Sequence, residues 1–136
     1  SSKESYIASL AASNYDLLII DAYYGDSMLT PQDVARLQYK PGGSRRLVAS
    51  YMSVGEAEDY RPYWQSQWGT NPPDWMWIAN GDWEGNYRVR YWSKDWQKML
   101  MGSPQSYLDQ ILAAGFDGAF LDVIDVFYVF EDIANQ

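Results

Sequence analysis

The chain has 136 residues, a formal net charge of -8, and neither cysteine nor histidine. This length predicts one domain spanning residues 1–136. The missing residue types exclude disulfides, a Ser-His-Asp triad and metal sites built from cysteine or histidine. The excess of acid disfavours binding to nucleic-acid phosphates and favours a neutral or cationic ligand. We therefore expect no nucleic-acid partner, no metal and no cofactor, and carboxylates are the main acid–base candidates. No apolar run approaches the ~20 residues of a membrane helix, so no membrane partner is expected.

The first third of the chain predicts a helix, a strand and a second helix. Apolar side chains recur at helical spacing from Ser5 to Ala12. Residues 15–21 (YDLLIID) are a continuous apolar run that ends in acid, as is typical of a parallel strand covered on both faces. Thr30 is a predicted helix N-cap with Pro31 at the first helical position, and the sequence KPGG at residues 40–43 stops this helix.

The middle of the chain predicts two more strands. The first spans residues 46–54 (RLVASYMSV) and runs into acid at Glu56. A short helix is predicted over residues 58–67. Two prolines then disfavour further helix, and a brief strand is predicted over residues 75–79.

The last part of the chain predicts a helical segment, a strand and a final helix. A long aromatic-rich connection leads to a helix capped by Ser93, and the sequence GSP at residues 102–104 interrupts the helical pattern. Helical spacing resumes and ends at Gly115, where a glycine commonly ends a helix. The fourth predicted strand is GFDGAFLDVID at residues 115–125, followed by a helix over residues 126–134.

This alternation predicts an α/β fold of about four parallel βα units. Asp21, Glu56 and Asp122 fall at the carboxyl ends of three of the predicted strands, and this end holds the active site in doubly wound sheets and in (β/α)8 barrels. A complete barrel needs ~250 residues, so four units amount to half a barrel or a small open sheet. Half a barrel would leave strand edges and an apolar interior exposed, and we therefore expect a homodimer or higher self-association.

Four segments, in order, resemble the glycoside hydrolases of family 114, typified by the endo-α-1,4-polygalactosaminidases: YDLLIID, SYMSVGEAEDYRPYW, PPDWMWIANGDWEGNYRVRYWSKDW and GFDGAFLDVID. The likeness extends from Tyr15 to Val126. It implies a partial (β/α)8 TIM-barrel-like fold, because family members have further strands before and after these segments. It also implies a usually secreted enzyme that cleaves α-1,4-linked galactosamine polymers with carboxylates at the strand ends.

The resemblance places Asp122 among the catalytic carboxylates and implies that its partner comes from a later strand, which this chain does not contain. Within the chain, the candidate partners are Glu56, which we select, Asp21 and Asp125. Carried over in the same way, the sugar-binding residues are Asp21, Tyr51, Arg61 and Asp125. Trp83 and Trp92 are added as aromatic side chains that suit a sugar ring. Three of these residues also have a structural interpretation. Asp21 could cap a turn, Asp125 could cap the last helix, and Arg61 could pair with a buried acid. Glu58 and Asp59 are expected at a solvated helix start.

Two functions remain open from the sequence. The first is a glycoside hydrolase-like protein that binds or cleaves amino-sugar polysaccharide with strand-end carboxylates. The second is a non-catalytic half-barrel that keeps at most an affinity for sugar. The N-terminal residues lack the pattern of a signal peptide, so an extracellular location is expected from the family resemblance alone.

Overall fold

The computed structural model describes residues 2–135, which form five α-helices and eight strands in a mixed α/β arrangement. The helices are α1 (Lys3–Ala11), α2 (Pro31–Leu37), α3 (Lys94–Leu100), α4 (Tyr107–Ala113) and α5 (Phe127–Ala134). The strands are β1 (Leu17–Ile20), β2 (Tyr23–Tyr24), β3 (Ser27–Met28), β4 (Leu47–Ser53), β5 (Glu56–Glu58), β6 (Met76–Ala79), β7 (Asn86–Val89) and β8 (Gly118–Asp122). A 3-10 turn covers Ser66–Gly69. None of the helices described is long and apolar enough to cross a membrane.

The chain divides into two compact units. The first unit contains the chain up to Met52 together with Leu108–Phe120. The second contains Ser53–Tyr107 and the chain from Leu121 onward. The strands β4 and β8 both reach the division at their carboxyl ends, which means that the residues following these two strands belong to the second unit.

A parallel sheet of three strands, in the order β1-β4-β8, organises the first unit. Leu17 is paired with Leu47, and Leu18 with Val48, so side chains alternate between the two faces. Leu18 and Val48 are buried, whereas Leu17, Ile19 and Leu47 are 48%, 44% and 56% exposed. The expectation that β1 is covered on both faces is therefore wrong for this chain. One face is buried, and the other presents apolar side chains to solvent.

Side-chain capping begins α1 and α2 in the first unit. The hydroxyl of Ser2 accepts a hydrogen bond from the Ser5 amide at the start of α1. At α2, the Thr30 hydroxyl accepts from the Asp33 amide and the Asp33 carboxylate accepts from the Thr30 amide, which is a complete capping box. The predictions of a first helix and of an N-cap at Thr30 are confirmed.

A buried guanidinium ties the ends of these two helices to the sheet. Arg46 is 2% exposed and immediately precedes β4. Its Nε donates to the carbonyl of Leu37 at 2.6 Å, and Nη2 donates to the carbonyls of Leu10 and Ala11 at 3.2 and 3.1 Å. The last carbonyls of a helix lack partners within it and carry its negative dipole end. Arg46 therefore satisfies the ends of α1 and α2 with a single positive charge.

A second polar cluster fixes the start of β8 beside β4. Asp117 accepts from Arg45 Nη2 at 2.7 Å, from the Val48 amide at 2.8 Å and from Gln38 Nε2 at 3.3 Å. The hydrogen bond from the Arg45 guanidinium, reinforced by that from the Val48 amide, holds the pKa of the Asp117 carboxyl below its ordinary value. The carboxylate thus joins two neighbouring strands through side-chain and main-chain donors.

The second unit contains an antiparallel sheet in the order β5-β7-β6. Glu56 pairs with Arg88, and Glu58 with Asn86. The predicted helix over residues 58–67 is wrong, because this stretch contains the end of β5, a series of turns and the start of the 3-10 turn. The predicted strand over residues 75–79 exists as β6, but it pairs with β7 and not with the parallel sheet. The described chain therefore has three parallel strands where the sequence predicted about four.

Large aromatic side chains fill the core of the second unit. Trp96 is fully buried, and its ring centroid lies 4.9 Å from that of Trp75, which in turn lies 5.1 Å from Trp68. The indole Nε1 of Trp96 donates to the Val54 carbonyl at 2.9 Å, which satisfies the polar edge of the ring. Much of the aromatic content of this segment is therefore core packing.

Replacing Arg46 by lysine should destabilise the first unit severely. The substitution keeps the positive charge but removes the planar set of five donors, so several carbonyls at the ends of α1 and α2 lose their partners. We expect a loss of about 3 kcal/mol in the free energy of unfolding, measured by urea denaturation. The matched control is Arg36→Lys, because Arg36 is exposed and pairs only at the surface with Glu4. An equal, small effect of both substitutions would contradict the role given to Arg46.

Replacing Asp117 by asparagine should reduce stability in a pH-dependent way. The pKa of Asp117 is lower in the folded chain than the unfolded value near ~3.9, so its carboxylate stabilises the fold above that pH. This stabilisation is lost as the pH falls through the folded-state pKa. The Asp117→Asn variant should be about 1 kcal/mol less stable than the parent at neutral pH, and the difference should shrink in acid. Urea denaturation at a series of pH values measures this, and a difference that does not change between pH about 7 and about 3 would refute it.

Candidate functional site

The carboxyl ends of β4 and β8 meet through their main chains in the second unit. The Val54 amide donates to the Asp122 carbonyl at 3.0 Å. One residue further along each strand, a Cβ added to Gly55 would lie 2.0 Å from the Val123 carbonyl oxygen, so only glycine fits there. Val123 has a positive φ of 59°, a conformation that a β-branched residue rarely adopts. This close approach fixes the residues on either side, Glu56 and Asp122.

Two acids at the end of β8 are exposed to solvent. Asp122 is the last residue of β8, and Asp125 lies in the turn that leads into α5. The cap residue of α5 is Val126, and no side chain makes a cap hydrogen bond there. The alternative that Asp125 caps this helix is therefore wrong. Asp122 thus lies at the carboxyl end of a parallel strand, where the sequence predicts the active site, and Asp125 lies three residues beyond it.

Glu56 is only 4% exposed. Its Oε1 accepts from Asn80 Nδ2 at 2.7 Å, and its Oε2 accepts from Asn86 Nδ2 at 2.9 Å. A buried carboxylate needs such donors, because an uncompensated charge in the interior is strongly unfavourable. Glu56 thus lies two residues after Val54, whose amide bonds to Asp122. Its carboxylate, however, is bound by the side-chain amides of Asn80 and Asn86.

Arg61 belongs to a buried ion pair. It is 4% exposed, and its Nε and Nη2 donate to the two carboxylate oxygens of Glu58 at 3.1 and 3.4 Å. Tyr60 donates its hydroxyl to the same carboxylate, and the Tyr63 hydroxyl accepts from the Glu58 amide at 2.9 Å. Burial, with the Glu58 charge as a further cause, raises the pKa of Tyr63 far above its ordinary value. The expectation of a solvated Glu58 is wrong, since Glu58 is 1% exposed.

Two tryptophans selected from the sequence are exposed. Trp83 is 69% exposed in the connection between β6 and β7. Trp92 is 51% exposed, with its ring centroid 4.8 Å from Phe130 of α5 and 5.1 Å from Tyr91. Exposed aromatic rings of this kind can pack against the apolar face of a sugar.

A mostly apolar cavity of about 260 Å³ adjoins this junction. Its lining includes Val54, Gly55, Trp96, Val123 and Val126. The indole N–H of Trp96 is already bonded to the Val54 carbonyl, so this donor is satisfied within the protein. The cavity lies on the same two chain segments that carry Glu56 and Asp122.

The remaining two predicted site residues belong to the first unit. Asp21 follows β1, and its Oδ1 accepts from the Tyr23 amide at 2.8 Å, which is the turn-capping arrangement that the sequence left as an alternative. Burial, and next the Asp21 charge, raises the pKa of Tyr6. Tyr51 is half-buried on β4. The other six candidates all lie in the second unit.

Sequence reasoning missed the two asparagines that bind Glu56 and the strained Val123. The signal for the asparagines was present, because Asn80-Gly81 and Gly85-Asn86 bracket a tight connection, and Asn-Gly pairs are turn signals. No sequence signal identifies Val123. Within residues 2–135, no group of three or more acidic side chains has the arrangement of a metal site.

Comparison with known proteins identifies the family of this chain. The family model described as glycoside-hydrolase family GH114 matches residues 4–136. An uncharacterized protein of Methanocaldococcus jannaschii is 40% identical over 125 residues, covering 89% of this chain and 34% of that protein. One of Deinococcus radiodurans is 36% identical over 115 residues, covering 85% and 35%. The chain thus spans about a third of the length of these curated relatives.

A solved structure is similar as well. The crystal structure of Aspergillus fumigatus Ega3 in complex with galactosamine matches with a TM-score of 0.60 at 25% sequence identity. The match covers 88% of this chain and 43% of that one. Because the family model matches nearly the whole sequence, the chain belongs to glycoside-hydrolase family GH114.

Proposed function

We propose that this chain forms part of a carbohydrate-hydrolysing site that acts on galactosamine-containing polysaccharide. The observation that carries the proposal is the exposed carboxylate of Asp122 at the carboxyl end of β8. Membership of a glycoside hydrolase family and the likeness to Ega3, whose structure contains galactosamine, support it. The formal charge of -8 also favours an amino-sugar polymer, because protonated amines are attracted to an acidic surface.

The proposed reaction is general acid–base hydrolysis with two carboxyl groups, of which Asp122 is one. A carboxylic acid protonates the glycosidic oxygen while the bond from C1 to that oxygen breaks. Water supplies the hydroxyl group to C1, directly or through a covalent intermediate, and its proton passes to a carboxylate. The direct route and the route through a covalent intermediate both need only the polysaccharide, one water molecule and the two carboxyl groups.

The residue that supplies the second carboxyl group of this reaction is proposed separately. Glu56 is the candidate in this chain, because the main-chain contact between Val54 and Asp122 brings the two segments together. Its burial and its two amide hydrogen bonds favour an indirect contribution to the site. Among the sugar contacts predicted from the sequence, we propose Trp83, Trp92 and Asp125, which are exposed in the second unit. The Arg61 side chain is instead buried in its ion pair with Glu58.

We also propose that the chain represents part of a (β/α)8 barrel and that it acts outside the cell. The three parallel strands and the 43% coverage of the Ega3 chain support a partial barrel. The extracellular location is proposed from the family resemblance. In isolation, the exposed apolar face of β1 and β4 favours pairing with a second copy of the same chain.

Replacing Asp122 by asparagine should abolish hydrolysis. Asparagine keeps the size of the side chain but can neither donate nor accept the catalytic proton, so release of reducing ends from α-1,4-linked galactosamine polymer should fall about 100-fold or more. The matched control is Asp132→Asn, the same change of charge at an exposed position on α5. Unchanged turnover in the Asp122 variant would overturn its role. If the folded parent binds the polymer without cleaving it, the non-catalytic alternative is correct.

The purified chain should associate with itself at micromolar concentration. Light scattering should give a mass of about 31 kDa, twice the 15.7 kDa of one chain. Leu47→Lys should shift the mass towards the monomer, because it places a charge on the exposed apolar face of β4. Leu112→Lys is the control, since Leu112 is 50% exposed on α4. A monomer at all concentrations would contradict this proposal and leave the hydrolase proposal unaffected.

A further inference from the structure

One buried carboxylate holds both ends of the loop that connects β6 to β7. We call residues 80–86 the loop: Asn80 is its first residue, and Asn86, its last, is also the first residue of β7. Each donates its side-chain amide to a different oxygen of Glu56, at 2.7 and 2.9 Å. The main chain closes the same loop, because the Asn80 amide donates to the Asn86 carbonyl at 2.8 Å.

Hydrogen bonds within the loop fix its course. The Asp82 amide donates to Asn80 Oδ1 at 3.0 Å, and the Trp83 amide donates to the Asn80 carbonyl at 3.3 Å. The Asn86 amide donates to the Trp83 carbonyl at 3.2 Å. Gly85 has a φ of +84°, and a Cβ there would lie 2.7 Å from the Asp59 carboxylate, so the loop also packs closely against Asp59. The side chain of Asn80 therefore links the buried carboxylate directly to the turn that carries Trp83.

The loop presents a large aromatic side chain to solvent. Trp83 is 69% exposed although its main chain is bonded on both sides. An indole held on an ordered loop offers a flat apolar face with little loss of conformational entropy when a ligand packs against it. The pyranose ring of a sugar has the matching apolar face.

The position of Glu56 suits support better than direct catalysis. At 4% exposure, its oxygens point towards Asn80 and Asn86 and not towards solvent. Removing its charge would leave the two part-buried amide groups of Asn80 and Asn86 with fewer acceptors, and the loop would lose part of its support.

We propose that Glu56 is a positioning residue, which pins the loop of residues 80–86 and thereby holds Trp83 as a stacking surface for a sugar ring. The carbohydrate part of this inference rests on the proposed function. The inference that Glu56 holds the loop in place rests on the hydrogen bonds alone.

The first experiment measures the loop itself by hydrogen exchange of its backbone amides in the whole chain. Glu56→Gln replaces one acceptor oxygen by an amide donor that faces the amide donor of an asparagine. Exchange at Asp82, Trp83 and Asn86 should accelerate about tenfold. The double variant Glu56→Gln with Asn86→Asp should restore slow exchange, because the new glutamine can then donate to the aspartate. Glu84→Gln, the same change at an exposed loop position, is the control.

The second experiment measures the affinity for galactosamine oligomers by calorimetry. Trp83→Ala and Glu56→Gln should each weaken binding about tenfold, and the double variant of residues 56 and 86 should recover it. A direct catalytic role predicts the opposite pattern, in which Glu56→Gln abolishes turnover, binding is kept and the second substitution restores nothing.

Each outcome decides one part of the inference. Unchanged hydrogen exchange in Glu56→Gln overturns the proposal that Glu56 holds the loop in place. Faster exchange with unchanged affinity overturns the positioning of a sugar surface. A parent chain that binds no galactosamine oligomer overturns the carbohydrate part and the proposed function together, while the exchange rates still decide whether Glu56 pins the loop.

Discussion

The close approach of Gly55 to Val123 is the constraint on which the candidate site depends. A side chain at residue 55 would overlap the Val123 carbonyl oxygen, and Val123 itself adopts a left-handed conformation that is unfavourable for a β-branched residue. The hydrogen bond between Val54 and Asp122 holds the two segments in this arrangement. The ends of β4 and β8 are thus locked together, and the acids that follow or end these strands acquire defined positions.

The acids near this junction divide into two groups by their surroundings. Glu56 and Glu58 are buried and bonded to amides, a guanidinium and hydroxyl groups, so their charges organise the antiparallel sheet and its loops. Asp122 and Asp125 are exposed at the end of a parallel strand. A substrate can reach the second group, whereas the first group shapes the surface around it. Arg46 has the corresponding structural role in the other unit, where one cation satisfies the ends of two helices.

Sequence reasoning succeeded where the determining interactions are local. The helix start at Thr30 follows from its own capping box, and the strands of the parallel sheet follow from continuous apolar runs. It failed over residues 58–67, because Glu58 is held by pairing with Asn86, which lies far along the chain. It also assigned β6 to the wrong sheet for the same reason. The pattern of a single strand does not specify its partner, so strand pairing had to come from the structure.

The sequence by itself determined which acid–base groups this chain contains and the family to which it belongs. The absence of cysteine and histidine leaves carboxylates as the main acid–base groups, and the ordered motifs are specific to one family of glycoside hydrolases. Only the tertiary structure decided which of these acids face solvent and which are buried. Glu56 and Asp122 look alike in the sequence, each ending an apolar run. The donors of Asn80 and Asn86, brought in from a distant hairpin, separate their roles, because a carboxylate that is buried and bonded on both oxygens presents little surface to a substrate.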